Sequence, residues 1–96
     1  MTLKRRLQAK RLDILKFAAR HGATNARIFG SVARDEDSDD SDIDLLVELE
    51  PERSLIVHVA LIQDLEDMLN CKVDVVTERT LNDTFRDRVL KDAIPL

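Results

Sequence analysis

A chain of 96 residues is long enough for one domain with a real core and for little more. At 44% apolar and 35% charged it is too apolar to remain disordered, and two Gly with two Pro are too few for an all-turn β fold. The net charge of −4 hides a split, with nine Lys or Arg against one Asp in residues 1–34 and six against eighteen Asp or Glu in residues 35–96; solvated helix faces account for that more simply than a polyanion-binding face does.

In chain order, residues 2–21 read as a helix. The start is basic and then amphipathic, not an unbroken apolar run, so no secretory leader is expected. Leu3, Leu7, Ile14 and Ala18 form its apolar stripe, Leu12, Leu15 and Ala19 widen it, and Gly22 stops it. Residues 26–29 (Ala-Arg-Ile-Phe) read as a short strand that ends at Gly30-Ser31, with Ser31 expected to cap a short helix through Arg34. Residues 35–41 are acidic and polar, a loop. Residues 42–49 alternate and then turn apolar, as a largely buried strand does. Pro51 breaks that strand, and Ser54 is expected to cap a helix running to about Asn70, with Leu61, Leu65, Met68 and Leu69 as its core stripe. The first half of this helix (Leu55, Ile56, Val57, Val59, Ala60) is apolar nearly all round, more than a surface helix needs; a second chain or a wrapped N-terminal helix would explain it. It is far too short to span a membrane. Cys71, the single cysteine, has no Cys or His at metal-ligand spacing and fits a reducing, cytoplasmic setting. Residues 72–77 form a third strand, and Leu81, Phe85 and Val89 step by four along a last helix that stops before Pro95. The expectation is an α/β fold of order α-β-α-β-α-β-α, a single domain over residues 1–96, with the second and third strands and the helix between them forming a right-handed βαβ unit.

Chemistry concentrates in Phe29-Gly30-Ser31, ten further residues, and Asp42-Ile43-Asp44. Residues two apart in a strand face the same way, so Asp42 and Asp44 project side by side while Ile43 anchors in the core. Two adjacent carboxylates raise each other's pKa unless a cation lies between them. Folding does not ask for that arrangement, whereas Mg²⁺ takes carboxylate oxygens together with substrate phosphates. Asp74, set among Val73, Val75 and Val76, is costly if it is only structural. If the third strand runs parallel to the second and beside it, Asp74 joins the pair, and three carboxylates suffice for two Mg²⁺ ions. Gly30 leaves room for a phosphate, backbone N–H groups and the Ser31 hydroxyl favour anionic oxygens, and Arg34 adds positive charge one turn on. His21 and His58 fall on helices away from the strand edges and are expected to be surface or packing residues.

These residues resemble the DNA polymerase β-type nucleotidyltransferase superfamily, in particular its minimal nucleotidyltransferase (MNT) branch. Phe29-Gly30-Ser31-Val32-Ala33-Arg34 and Ser41-Asp42-Ile43-Asp44-Leu45 are similar to the family's signature. So are Leu65 to Leu69, the stretch from Lys72 to Thr77, and the closing Ala93-Ile94-Pro95-Leu96. The resemblance implies a short mixed sheet flanked by helices, with Asp42, Asp44 and Asp74 as catalytic acids and magnesium ligands, and Gly30 and Ser31 on the triphosphate. One departure is Asp35, where many relatives carry Gly after the Arg. MNT proteins of this size resemble the antitoxin half of toxin–antitoxin pairs. The resemblance thus implies transfer of AMP from ATP to a tyrosine hydroxyl of a HEPN-domain toxin. The sequence leaves the oligomeric state open; the apolar helix suits a homodimer or a hetero-complex.

Two other readings stand beside this one. A pure binding antitoxin would cover its toxin without chemistry. A small-molecule nucleotidyltransferase usually carries an added acceptor-binding domain, for which 96 residues leave no room. A template-directed enzyme is disfavoured on the same ground. With no Trp or Tyr for stacking, direct nucleic-acid binding is not expected.

Overall fold

The computed structural model describes residues 3–36, 42–50 and 55–96. Two short helices, α1 (Leu3–Ala9) and α2 (Arg11–Arg20), lead into strand β1 (Ala23–Phe29) and a one-turn helix, α3 (Gly30–Ala33). Strand β2 (Ile43–Leu49), helix α4 (Leu55–Leu69) and strand β3 (Val73–Thr77) follow. A 3₁₀ turn (Glu78–Thr80), helix α5 (Asp83–Asp92) and a two-residue strand β4 (Ile94–Pro95) close the described chain. The strands form one mixed sheet in the order β3-β2-β1-β4. β2 is parallel to β3 and β1 is antiparallel to both β2 and β4. This is the mixed α/β fold the sequence implies, with β4 added to the expected order; β4 extends through the Leu96 N–H, which donates to Ala26 O at 3.1 Å.

The expected first helix is two. At Lys10 the backbone leaves the helical region (φ −102°, ψ 15°), and its N–H is shared between Arg6 O and Leu7 O at 3.2 Å each. The bend leaves Leu7 and Ile14, seven apart and so on one stripe, both completely buried. It also corrects the expected stripe: Leu15 packs on the core edge, but Leu12 is 64% exposed and Ala19 is exposed.

β1 starts three residues earlier than its alternation suggests. Its register against β2 slips between Thr24 and Arg27, because three steps along β1 match two along β2. Asn25 takes a positive φ (52°) at this bulge. Ala23 and Ala26 are therefore both buried although three apart, which breaks the period of two.

The main core joins Ile28, Ile43, Leu45, Val47, Val73 and Val75 from one sheet face to Leu7, Ile14, Leu61, Leu65 and Leu69 from the helices. A smaller cluster on the other face joins Phe29 and Leu46 to Val89 of α5. α5 begins later than expected because Asn82 caps it, its side chain accepting the Phe85 N–H at 2.8 Å. Leu81 thus precedes the helix, and Phe85 is half-exposed. The expected cap at Ser54 and most of the acidic loop, residues 37–41, lie outside the described residues. Ile56 (80% exposed) and Val59 (56%) on α4 face solvent, so the N-terminal helices do not cover them. No helix of the described residues is long and apolar enough to cross a membrane.

Candidate active site

β2 and β3 start together. The Ile43 N–H donates to Lys72 O at 2.9 Å, and the parallel register then sets Asp44 opposite Asp74. Alternation sends Ile43 and Leu45 into the main core, so Asp44 faces the other way, on the side of Leu46. Asp74, between the buried Val73 and Val75, does the same in β3. Asp42 is exposed one residue ahead of β2. Asp44 is half-buried and its carboxyl is pushed above the ordinary carboxylate range, first by burial, then by the negative charges of Asp74 and Asp42; Arg34 works in the opposite direction. The three acids therefore share one field. They do not converge on one point in this conformation: among the described residues no three His, Cys, Asp or Glu are gathered closely enough to hold a metal ion.

The antiparallel register brings the end of β1 to the same place, with Phe29 opposite Asp44. The next residue, Gly30, has φ +72°, and a Cβ built there would stand 2.5 Å from Asp44 Oδ2. Glycine is required twice over, by the backbone conformation and by the carboxylate lying against it. Ser31 follows inside the first turn of α3 and is not its cap. The capping position is Phe29, whose side chain makes no cap hydrogen bond, because the chain enters the helix straight from the strand. Ser31 O accepts the Glu36 N–H at 2.8 Å, which folds the chain back after α3.

Arg34, just after α3, reaches α5, the helix on the same sheet face as Asp44. Its Nε donates to Glu36 Oε2 at 3.0 Å and its Nη1 to Asp92 Oδ2 of α5, and both bonds raise its pKa further. Its charge reaches Asp44 while its donors are held by α5 and Glu36. Each histidine has a backbone carbonyl within hydrogen-bond distance of a ring nitrogen. His21 sits with Nδ1 2.7 Å from Phe17 O and Nε2 3.2 Å from Asp64 Oδ2, and His58 has Nε2 2.8 Å from Val75 O.

Sequence reasoning did not single out Glu66 or Asp92. Glu66 Oε2 accepts the Val73 N–H at 3.1 Å and so anchors the start of β3, one residue before Asp74. Nothing in the sequence marks these two among nineteen acidic residues. A cleft of about 520 Å³ lies at the opposite end of β2 and β3, lined by Glu48, Glu50, His58, Thr77 and Arg79 among others, and includes none of the six expected site residues.

The chemistry of this sheet edge is that of hard oxygen donors beside a turn without side-chain bulk. Burial first, and then the charges of Asp74 and Asp42, push Asp44 up; a divalent cation among the three acids would counter both, so the donor set suits Mg²⁺. Comparison with known proteins covers most of the chain. A family model described as polymerase beta, nucleotidyltransferase matches residues 13–96. A Methanocaldococcus jannaschii protein named as a protein adenylyltransferase is 41% identical over 81 residues, covering 84% of this chain and 87% of its own length. A solved structure of a minimal nucleotidyltransferase superposes with a TM-score of 0.88 at 48% identity, covering 100% of this chain and 97% of that one. A structure of the tri-AMPylated Shewanella oneidensis HEPN toxin in complex with an MNT antitoxin shares the fold, with a TM-score of 0.69 at 22% identity over 92% of this chain and 69% of that one.

Proposed function

The chain belongs to the polymerase β nucleotidyltransferase family, and from that premise we propose that it transfers AMP from ATP to a tyrosine hydroxyl of a HEPN-type toxin, with pyrophosphate as the leaving group, acting as its antitoxin. One observation carries the reading: the Asp44 carboxylate, facing Asp74 across the β2–β3 register, lies against a glycine with no room for a Cβ. The turn at Gly30 and Ser31 receives the triphosphate, its backbone close to the phosphates because no side chain intervenes. Asp42, Asp44 and Asp74 would hold Mg²⁺, which when bound supplies charge neutralisation at the transferring phosphoryl group and lowers the pKa of the acceptor hydroxyl. Asp74, the exposed member of the facing pair, takes the proton of that hydroxyl at a carboxylate oxygen. Arg34 biases the field at Asp44 toward the ionised form. The named adenylyltransferase relative supports the AMP assignment, and the shared fold with the toxin-bound antitoxin supports the partner.

A second reading, an antitoxin that acts by covering its partner, draws on the exposed apolar start of α4, since Ile56 and Val59 suit a protein surface with or without chemistry. Intact-mass measurement of the co-expressed partner after ATP and Mg²⁺ separates the two. A gain of one or more AMP units, absent with Asp42→Ala and Asp44→Ala, is expected. No gain, with both chains silencing the partner equally, would leave only the covering role.

A further inference from the structure

α1 lies wholly ahead of the residues that the family model matches, yet its side chains reach both halves of the candidate site. Lys4 Nζ donates to Ala33 O at 3.3 Å, the last residue of α3, and pairs with Asp35 Oδ2 at 3.5 Å. Arg6 Nη2 donates to Leu69 O at 3.1 Å, the last residue of α4, and Lys10, at the bend after α1, donates to Met68 O at 3.4 Å. Leu7, fully buried, and Leu3 seat α1 beside Ile43, Leu69 and Cys71. Ile43 is the residue between Asp42 and Asp44.

The last carbonyls of a helix have no partner within it and take cations or other donors. Neither α3 nor α4 carries a basic residue in its own last turn. α1 and the bend after it supply donors to both ends. Each of these ends is tied closely to a site residue. Four residues after Leu69 the chain enters β3, whose second residue is Asp74. α3 is only one turn long, so fixing its last residue fixes Gly30 and Ser31 at its start. After α3, Asp35 takes φ +57°, the left-handed conformation a glycine adopts freely. The side chain that Asp35 has and glycine lacks is the one Lys4 holds.

We infer that α1 braces the catalytic frame, with Lys4 a positioning residue for the Gly30-Ser31 turn through the end of α3 and Arg6 a positioning residue for Asp74 through the end of α4. The kinetic part of this inference rests on the nucleotidyl-transfer reading; the mechanical part does not. Amide hydrogen exchange reads the mechanical part directly. In Lys4→Met, the amides of Arg34, Asp35 and Glu36 exchange about tenfold faster, while those of Asn70 and Val73 hold. In Arg6→Met the pattern reverses. In both, Ile28 and Leu45 at the centre of the sheet keep their wild-type rates. Lys4→Arg and Arg6→Lys restore protection. In transfer assays, Lys4→Met raises the KM for the nucleoside triphosphate about fivefold with kcat held, and Arg6→Met lowers kcat about tenfold with that KM held. Wild-type exchange at both segments, or faster exchange of all amides together, overturns the brace. If the exchange pattern holds but the wild-type chain transfers no nucleotide, the brace stands and the functional reading falls. If transfer proceeds and the exchange pattern fails, the reverse is true.

Discussion

One face of the sheet is closed and the other is half open, and β2 belongs to both. Ile43, Leu45 and Val47 lie in the large core with residues of α2 and α4. Asp44, Leu46 and Glu48 alternate with them on a face where α5 covers only the small cluster around Leu46, Phe29 and Val89. The difference teaches how a small chain holds repelling carboxylates still. It needs no separate rigid segment, because a strand's period of two puts an anchor and a reactive group on successive residues. The closed face supplies the stability that the acids on the open face consume.

The largest effect that would test this division is chemical. Asp44→Asn keeps the anchors and is expected to lower the rate of nucleotide transfer to the partner about a thousandfold or more, roughly 4 kcal/mol of barrier, with an unchanged circular dichroism spectrum. Next come the two adjacent leucines. Both are fully buried, but Leu45→Ala opens a hole in the large core, whereas Leu46→Ala lies under one helix that can settle. Urea unfolding should show about 4 kcal/mol lost for the first and about 2.5 kcal/mol for the second; equal losses would mean that the faces do not differ as described.

Gly30→Ala is expected to cost about 2 kcal/mol, part from its positive φ and part from Asp44 Oδ2. Made in an Asp44→Gly background it should cost about 1 kcal/mol less, the coupling of two groups in contact. The smallest effect is a pH dependence. Burial and like charges raise the Asp44 carboxyl in the folded chain, so the folded state binds that proton more tightly than the unfolded state. The contribution of Asp44 to stability is therefore best below the ordinary carboxylate range. It declines as pH rises from there to the folded-state value, and is flat above it. Without metal, Asp44→Asn should melt slightly higher than wild type at neutral pH, by about 0.5 kcal/mol given solvent screening, with the gap closing in acid. A gap that widens in acid would show the opposite sign of shift.

The pattern of two made β2 and β3 legible, and with them the facing of Asp44 and the placement of Asp74, since each acid sits between apolar neighbours. Glycine before a strand-edge serine marked the turn. What the sequence hid has specific causes. Lys10 belongs to an ordinary helical stretch, and nothing in its residue type marks the bend there. Ser31 looked like a cap because its residue type favours one, yet the strand runs directly into α3 and leaves the capping position to Phe29. Arg34 lies in the expected place, but its guanidinium is drawn off by Asp92, fifty-eight residues away in sequence, a contact no local pattern carries. Lys4 and Arg6 are two among nine basic residues of the first third of the chain, indistinguishable there from solubilising charge.

The bulge at Asn25 makes the strand's parity a single-residue affair. Without Asn25, Ala23, Ala26 and Ile28 would alternate strictly with Thr24, Arg27 and Phe29, each already on the face it now occupies. Two steps along β1 would then match two along β2, and neither half of the strand would have to turn over. The extra residue is a spacer that can be lost without moving Gly30 against Asp44, so a deletion at this one codon is tolerated.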